Sequence, residues 1–463
     1  MIRLAIVFGL AALLPGAATA QLAPAALLGP LQSTSPETSI IPAAEGSKVD
    51  SPQSTTPPGN PQPAQTAKPL AGNALEDPLK PSFRVRGLIE TELAMAAQSS
   101  QSKAILGNIQ DGYGFRRIRL GAQGTIGDSA RWVSEVELAG GNVQPLDVFI
   151  GLTSLPGIRE LRVGHFREPF SLEGMTGVPF VTFLERSPLN GLDPARNWGV
   201  CGYWWTDDER LLFAFGTFRD GTALNGNSVG DQNAWAYTGR LTGLPLYEPD
   251  GIEFRLVHLG AAMSVRNPFD RTVVYNPGRV PSLLAVVDNP DTPFLPPVSI
   301  PADGQQLYNL QAANVVGPVS FQGEWFGSSI QRTNGGGNIF LHGFYTQASY
   351  FLTGEHRGYD RTRGAFSQVK VQRPVSEKAP GSGWGAFELA ARYTYYDAAS
   401  PNLPPSMDGT TSRAVLQQME LGLNWYLNDN TRLMFNYTLP IVNKVGFEQA
   451  SSNVFSARAA IYW

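Results

Sequence analysis

Arginine has the most chemistry to offer in this chain. It supplies 28 of the 35 basic side chains, and lysine only seven. A guanidinium keeps its charge at any ordinary pH and presents a planar fork of donors, so it can grip a carboxylate or a phosphate bidentately. Arg84, Arg86, Arg117, Arg119, Arg392, Arg432 and Arg458 each fall on the polar side of an alternating segment. The acids Glu90, Glu92, Glu135, Glu137, Glu388 and Glu420 fall on the same sides. Such rows can pair across neighbouring strands, or they can line a polar passage. The sequence leaves both readings open.

Other chemistry is thin. Cys201 is the single cysteine, so it forms no internal disulfide and has no cysteine partner for a metal; it reads as an inert wall or core residue. His165, His258, His342 and His356 lack metal-ligand spacing. No nucleophile motif, phosphate loop or metal motif is found. The expectation is therefore no catalysis, no cofactor and no metal. The net charge of −4 gives no basic patch for nucleic acid, and none is expected as a partner.

The elements that must position the arginines have a period of two. Val85, Gly87, Ile89, Thr91 and Leu93 alternate with Arg84, Arg86, Leu88, Glu90 and Glu92. Met419, Leu421, Leu423, Trp425 and Leu427 oppose Gln418, Glu420, Gly422, Asn424 and Tyr426. At the end of the chain Phe455, Ala457, Ala459, Ile461 and Trp463 share one face, with Ser456, Arg458 and Tyr462 on the other. About sixteen such runs follow one another from 83–96 to 453–463, most joined by alternately short and long connectors. One face apolar and one polar, without a helix-length apolar stretch, predicts an all-β chain: a transmembrane antiparallel β-barrel of about 16 strands. A barrel must pair its last strand with its first, and a terminal aromatic would seat that strand at the headgroup level. The connector 353–383 breaks the alternation of lengths, being long where a short turn is due, and its residues offer no account of this.

The start of the chain is different. In residues 1–20, Arg3 precedes the apolar run Leu4 to Leu14, and Ala18-Thr19-Ala20 offers a small-residue cleavage site; this reads as a signal peptide. Residues 21–80 are rich in Pro, Ala, Ser, Thr and Gln, and such a composition cannot bury enough apolar surface to order itself. The expected division is 1–20 signal peptide, 21–80 disordered Pro-rich periplasmic linker, and 81–463 barrel.

Several segments resemble one family. Arg162-Val163-Gly164-His165-Phe166-Arg167-Glu168-Pro169-Phe170-Ser171-Leu172-Glu173, Thr182-Phe183-Leu184-Glu185-Arg186-Ser187 and Asp193-Pro194-Ala195-Arg196-Asn197-Trp198-Gly199-Val200 are similar to the phosphate-selective porin O and P family. Leu352-Thr353-Gly354-Glu355, Gly385-Ala386-Phe387-Glu388-Leu389-Ala390-Ala391-Arg392-Tyr393 and Gly422-Leu423-Asn424-Trp425-Tyr426-Leu427-Asn428 extend the resemblance in order. It implies a sixteen-stranded homotrimeric porin in outer-membrane lipid, passing small ions and hydrophilic solutes, possible anions such as phosphate among them. It also implies an inward-folded constriction loop, here 168–197. The pore and constriction candidates are then Arg167, Arg186, Arg196, Arg117, Arg119, Arg392 and Arg432. The loop holds no lysine, and its carboxylates Glu168, Glu173, Glu185 and Asp193 would repel a dianion, so weak phosphate selectivity is expected. The competing reading is a structural barrel tethered through the 21–80 linker, with conduction secondary.

Overall fold

The computed structural model describes residues 81–463, apart from 142, 221–233, 252, 276–294, 296, 377–380, 407–408 and 410. The expected signal peptide and linker lie outside the described residues. Sixteen strands form the wall: β1 Arg84–Gln98, β2 Gly112–Ile126, β3 Ala130–Glu137, β4 Gln144–Leu152, β5 Glu160–Arg167, β6 Arg196–Trp205, β7 Leu211–Arg219 and β8 Trp235–Glu248. The second half is β9 Arg255–Arg266, β10 Val298–Val316, β11 Val319–Arg332, β12 Ile339–Phe351, β13 Ala386–Ala398, β14 Ala414–Asn428, β15 Thr431–Lys444 and β16 Ala450–Tyr462. Every strand pairs antiparallel with its neighbours in sequence. β16 returns to β1 in a register running from Leu88↔Tyr462 to Gln98↔Ser452, which closes the sheet. Closure leaves no edge strand unpaired, the condition a sheet must meet in lipid.

The alternation expected from the sequence is what orients the wall. Leu93, Phe213, Phe215, Leu241, Leu259, Leu310, Phe321, Met419 and Leu421 are exposed, while Glu90, Glu92, Arg392, Glu420, Asn424 and Arg458 are buried. A soluble protein would invert that order. Here the apolar outer surface meets lipid and the polar side chains meet one another inside. Phe387 stacks on Trp425 and Phe83 lies against Trp132, near the end where the chain enters and leaves the barrel. That end carries the short turns and is the periplasmic one in bacterial barrels. No helix among the described residues is long and apolar enough to cross a membrane.

Candidate functional site: the barrel interior

Segment 168–195, between β5 and β6, is held by strands from much of the wall. Its carboxylates are each held by a wall or loop group. Arg266 of β9 binds both oxygens of Glu168 at 3.0 Å. Arg392 of β13 reaches Glu173 at 2.9 Å. Arg116 and Arg117 of β2 and Arg458 of β16 converge on Glu185 at 2.6 to 3.1 Å. Arg167 meets Asp193 at 2.9 Å. Burial would raise the Glu185 carboxyl, but its three guanidinium neighbours outweigh this and hold it well below its ordinary range.

The wall also reads the segment's backbone. Gln311 of β10 donates to the carbonyl of Phe170, Asn424 of β14 to Thr182, Arg432 of β15 to Val181 and Arg458 to Leu184. Glu324 of β11 accepts from the amides of Leu172 and Glu173 at 2.7 and 2.8 Å. Phe170, Phe183 and Leu184 are buried, and the Arg392 guanidinium lies 4.4 Å from the Phe183 ring centre. β8 to β16 and β2 all contribute to holding the segment, chiefly through side chains on the buried side of their alternation.

These contacts divide the seven candidate arginines. Arg119, Arg167, Arg186 and Arg196 line a cavity of about 340 Å³. Arg196 is paired there with Asp147 at 2.9 Å, and Arg119 with Glu137 at 2.8 Å. Arg186 instead donates to the carbonyls of Glu173 and Thr176 at 2.8 and 2.7 Å. Arg117, Arg392 and Arg432 are buried and absent from that cavity lining; they clamp segment 168–195 to the wall. The expectation that Glu168, Glu173, Glu185 and Asp193 confront a passing anion needs correction. Each is engaged by the cations just named, and none of the four lines the cavity.

The cavity lies against β1 to β6 and is strongly basic. Arg84, Arg86, Arg119, Arg162, Arg167, Arg186, Arg196 and Arg363 line it, against the carboxylates Glu135 and Asp147. Arg162 and Arg363 were not among the expected pore residues. Arg162 could have been found from the alternation of β5. Arg363 lies in the anomalous connector after β12, where no periodicity points to it. That connector is now explained. Gly358–Asp360 pairs with Ala365–Ser367 as a small hairpin, and Arg240 of β8 donates to the carbonyls of Arg363 and Gly364 at 2.9 and 2.6 Å. The connector is long because its hairpin enters the barrel from the periplasmic end.

A closed antiparallel barrel with an apolar exterior and a charged interior is an outer-membrane channel. Residues 100–463 match the family described as phosphate-selective porin O and P, and the chain belongs to it. The protein is thus a porin of the bacterial outer membrane. It is 26% identical over 412 residues to an uncharacterized protein of Caulobacter vibrioides, covering 85% of this chain and 78% of that one. Porin O of Pseudomonas aeruginosa is 28% identical over 144 residues, 30% of each chain. Among solved structures, OmpT of Vibrio cholerae superposes with a TM-score of 0.50 at 14% identity, over 83% of this chain and 98% of that one. The outer membrane channel DcaP of Acinetobacter baumannii gives 0.50 at 11% identity, over 83% and 97%. At such identities these structures speak to the fold.

Proposed function

We propose that this porin is an anion-preferring diffusion channel, phosphate included, whose narrowest part lies where segment 168–195 meets the β1 to β6 wall. One observation carries the reading: eight arginines and two carboxylates surround the cavity. Selectivity in a water-filled pore follows from its width and the charges on its lining. Guanidiniums suit phosphate because their donors match its oxygens two at a time. Family membership supports a homotrimer in outer-membrane lipid and a passive channel in place of an enzyme. The test is single-channel recording in planar bilayers under a potassium chloride gradient, followed by titration of the chloride current with phosphate. The expected reversal potential has the sign of anion selectivity, and phosphate reduces the chloride current in a saturable way. A cation-selective reversal potential would overturn the reading.

A further inference from the structure

The alternation of β7 sends an arginine to the lipid side of the wall. Leu212, Ala214 and Phe218 are buried, while Leu211, Phe213 and Phe215 are exposed, so Arg219 belongs to the outward row. It is half-buried and is the last residue of β7. That end of the strand lies away from the short turn 206–210 and is the extracellular one in bacterial barrels. Arg392, Arg432 and Arg458 do the opposite, being buried on the inner side.

Arg219 stands opposite Trp198 of β6 and Trp235 of β8, and Trp198 stands opposite His165 of β5. These residues form a single row across β5 to β8 at the extracellular rim. The Arg219 guanidinium lies 4.1 Å from the Trp235 ring centre, and the rings of His165 and Trp198 are 6.5 Å apart. Both tryptophans are exposed, Trp198 by 42% and Trp235 by 38%. Indole rings settle at the level of the lipid headgroups, so the row marks the headgroup plane of the outer leaflet. Beneath it, toward the membrane centre, the outward face is apolar: Val200 and Tyr237, then Phe213, Phe215 and Leu241, are exposed. Gly202 interrupts this surface between exposed Val200 and Trp204, and a Cβ there would meet nothing nearer than 4.0 Å. An indentation one side chain wide therefore lies below the charged row.

We propose that the outer face of β5 to β8 is a binding site for a phosphorylated glycolipid of the outer leaflet, lipid A, with Arg219 as the residue that receives its phosphate. Each part of such a lipid has a counterpart here. Stacking on Trp235 uses the face of the guanidinium; its donors lie in its plane and match the oxygens of a phosphate two at a time. The indole faces suit the apolar side of a glucosamine ring, and the strip from Val200 to Leu241 suits acyl chains. A second copy of this chain is the competing occupant. The charge favours lipid, because the exposed apolar residues of the outer wall offer a guanidinium no anion. This phosphate is bound from the membrane, across the wall from the arginine-lined cavity, so the inference does not depend on what the channel conducts.

The experiment titrates the full-length native protein, Arg219→Gln and Arg219→Lys with lipid A in detergent and counts bound lipid by native mass spectrometry; heat-resistant migration on gels checks that each variant folds. The native protein is expected to take up lipid A saturably, and lipid A stripped of its phosphates about tenfold more weakly, as suits the loss of a charge-assisted hydrogen-bonded pair. Arg219→Gln should bind intact lipid A as weakly as the native protein binds the stripped form. Arg219→Lys keeps the charge and loses the planar fork, and should fall between the two. Equal affinity of the native protein for both lipids would overturn the proposal, and that comparison needs no variant to fold. Native affinity in Arg219→Gln would overturn it as well. Lipid A bound by single chains but not by oligomers would assign the face to a second copy and overturn it too.

Discussion

Arg196 of β6 and Arg392 of β13 are both arginines of the barrel interior, yet their surroundings give them different work. Arg392 binds Glu420 and Glu173 at 2.5 and 2.9 Å and is almost wholly buried. Removing it would strand two carboxylates in the interior, and breaking one partner of a buried pair costs about 3–5 kcal/mol. Arg392→Met should therefore lower the temperature at which the barrel loses its heat-resistant gel migration, and should add open-channel noise as segment 168–195 loosens. Arg196 has a single partner, Asp147, and lines the cavity. A unit charge at contact distance in a wet pore contributes about 1 kcal/mol, roughly a fivefold change in ion partition. Arg196→Ala should lower the anion-over-cation permeability ratio by up to that factor with little change in heat resistance. Arg196→Ala with an unchanged reversal potential would place the path elsewhere.

At the scale of elements, the period of two carried most of what could be read from sequence, and its failures have physical causes. The sixteen strands lie close to where alternation put them because one face of each meets lipid and the other does not. Alternation does not register an irregularity in pairing. Between β1 and β2 the partners run Glu90↔Arg117 and then Thr91↔Phe115, so one residue of β2 has no opposite number. This bulge lets the successive residues Arg116 and Arg117 both reach Glu185, where a regular strand would send one of them outward. The clamp arginines were legible as inward but not as clamps, because their partners are far away in sequence. The same is true of Leu244, Leu256, Ala313 and Val315, a buried apolar patch of β8 to β10 covered by Leu172 of segment 168–195 and Phe366 of the connector after β12. Glu324 shows how such an element can be tested. It receives two successive amides at the start of Leu172–Met175 and the hydroxyl of Tyr345 at 2.6 Å. Glu324→Leu removes all three hydrogen bonds and leaves buried donors unpaired, about 1–3 kcal/mol each. The expected result is a folded barrel with unstable conductance levels; steady single-level openings would show that Glu324 does not hold the segment.

For the whole molecule, closure is the decisive event, and Trp463 extends its seam by one pair. Trp463 exchanges two backbone hydrogen bonds with Gly87, each 3.1 Å, beyond the regular register of β1 and β16. Its ring lies across Gly87 so closely that a Cβ there would sit 2.1 Å from it, and Trp463 as a whole remains half exposed. Glycine at 87 thus makes room for the aromatic, which covers backbone that would otherwise face the membrane interface. Asn430 Nδ2 adds a bond to the Tyr462 carbonyl at 2.8 Å, tying the β14–β15 turn to the same seam. If the seam rather than the linker governs assembly, two alterations should separate them. A chain shortened to begin near Asp77 should insert and conduct as the native protein does; loss of folding there would show that residues 21–80 are structural. Deleting Trp463, or replacing Gly87 with Val so that the ring is displaced, should slow assembly in lipid vesicles and lower the yield of heat-resistant barrel, while barrels that do form keep the native ion selectivity, because neither position carries a charge and six of the eight cavity arginines lie outside β1. Native assembly rates in both variants would mean that the β1–β16 ladder from Leu88 to Gln98 closes the barrel without the terminal aromatic.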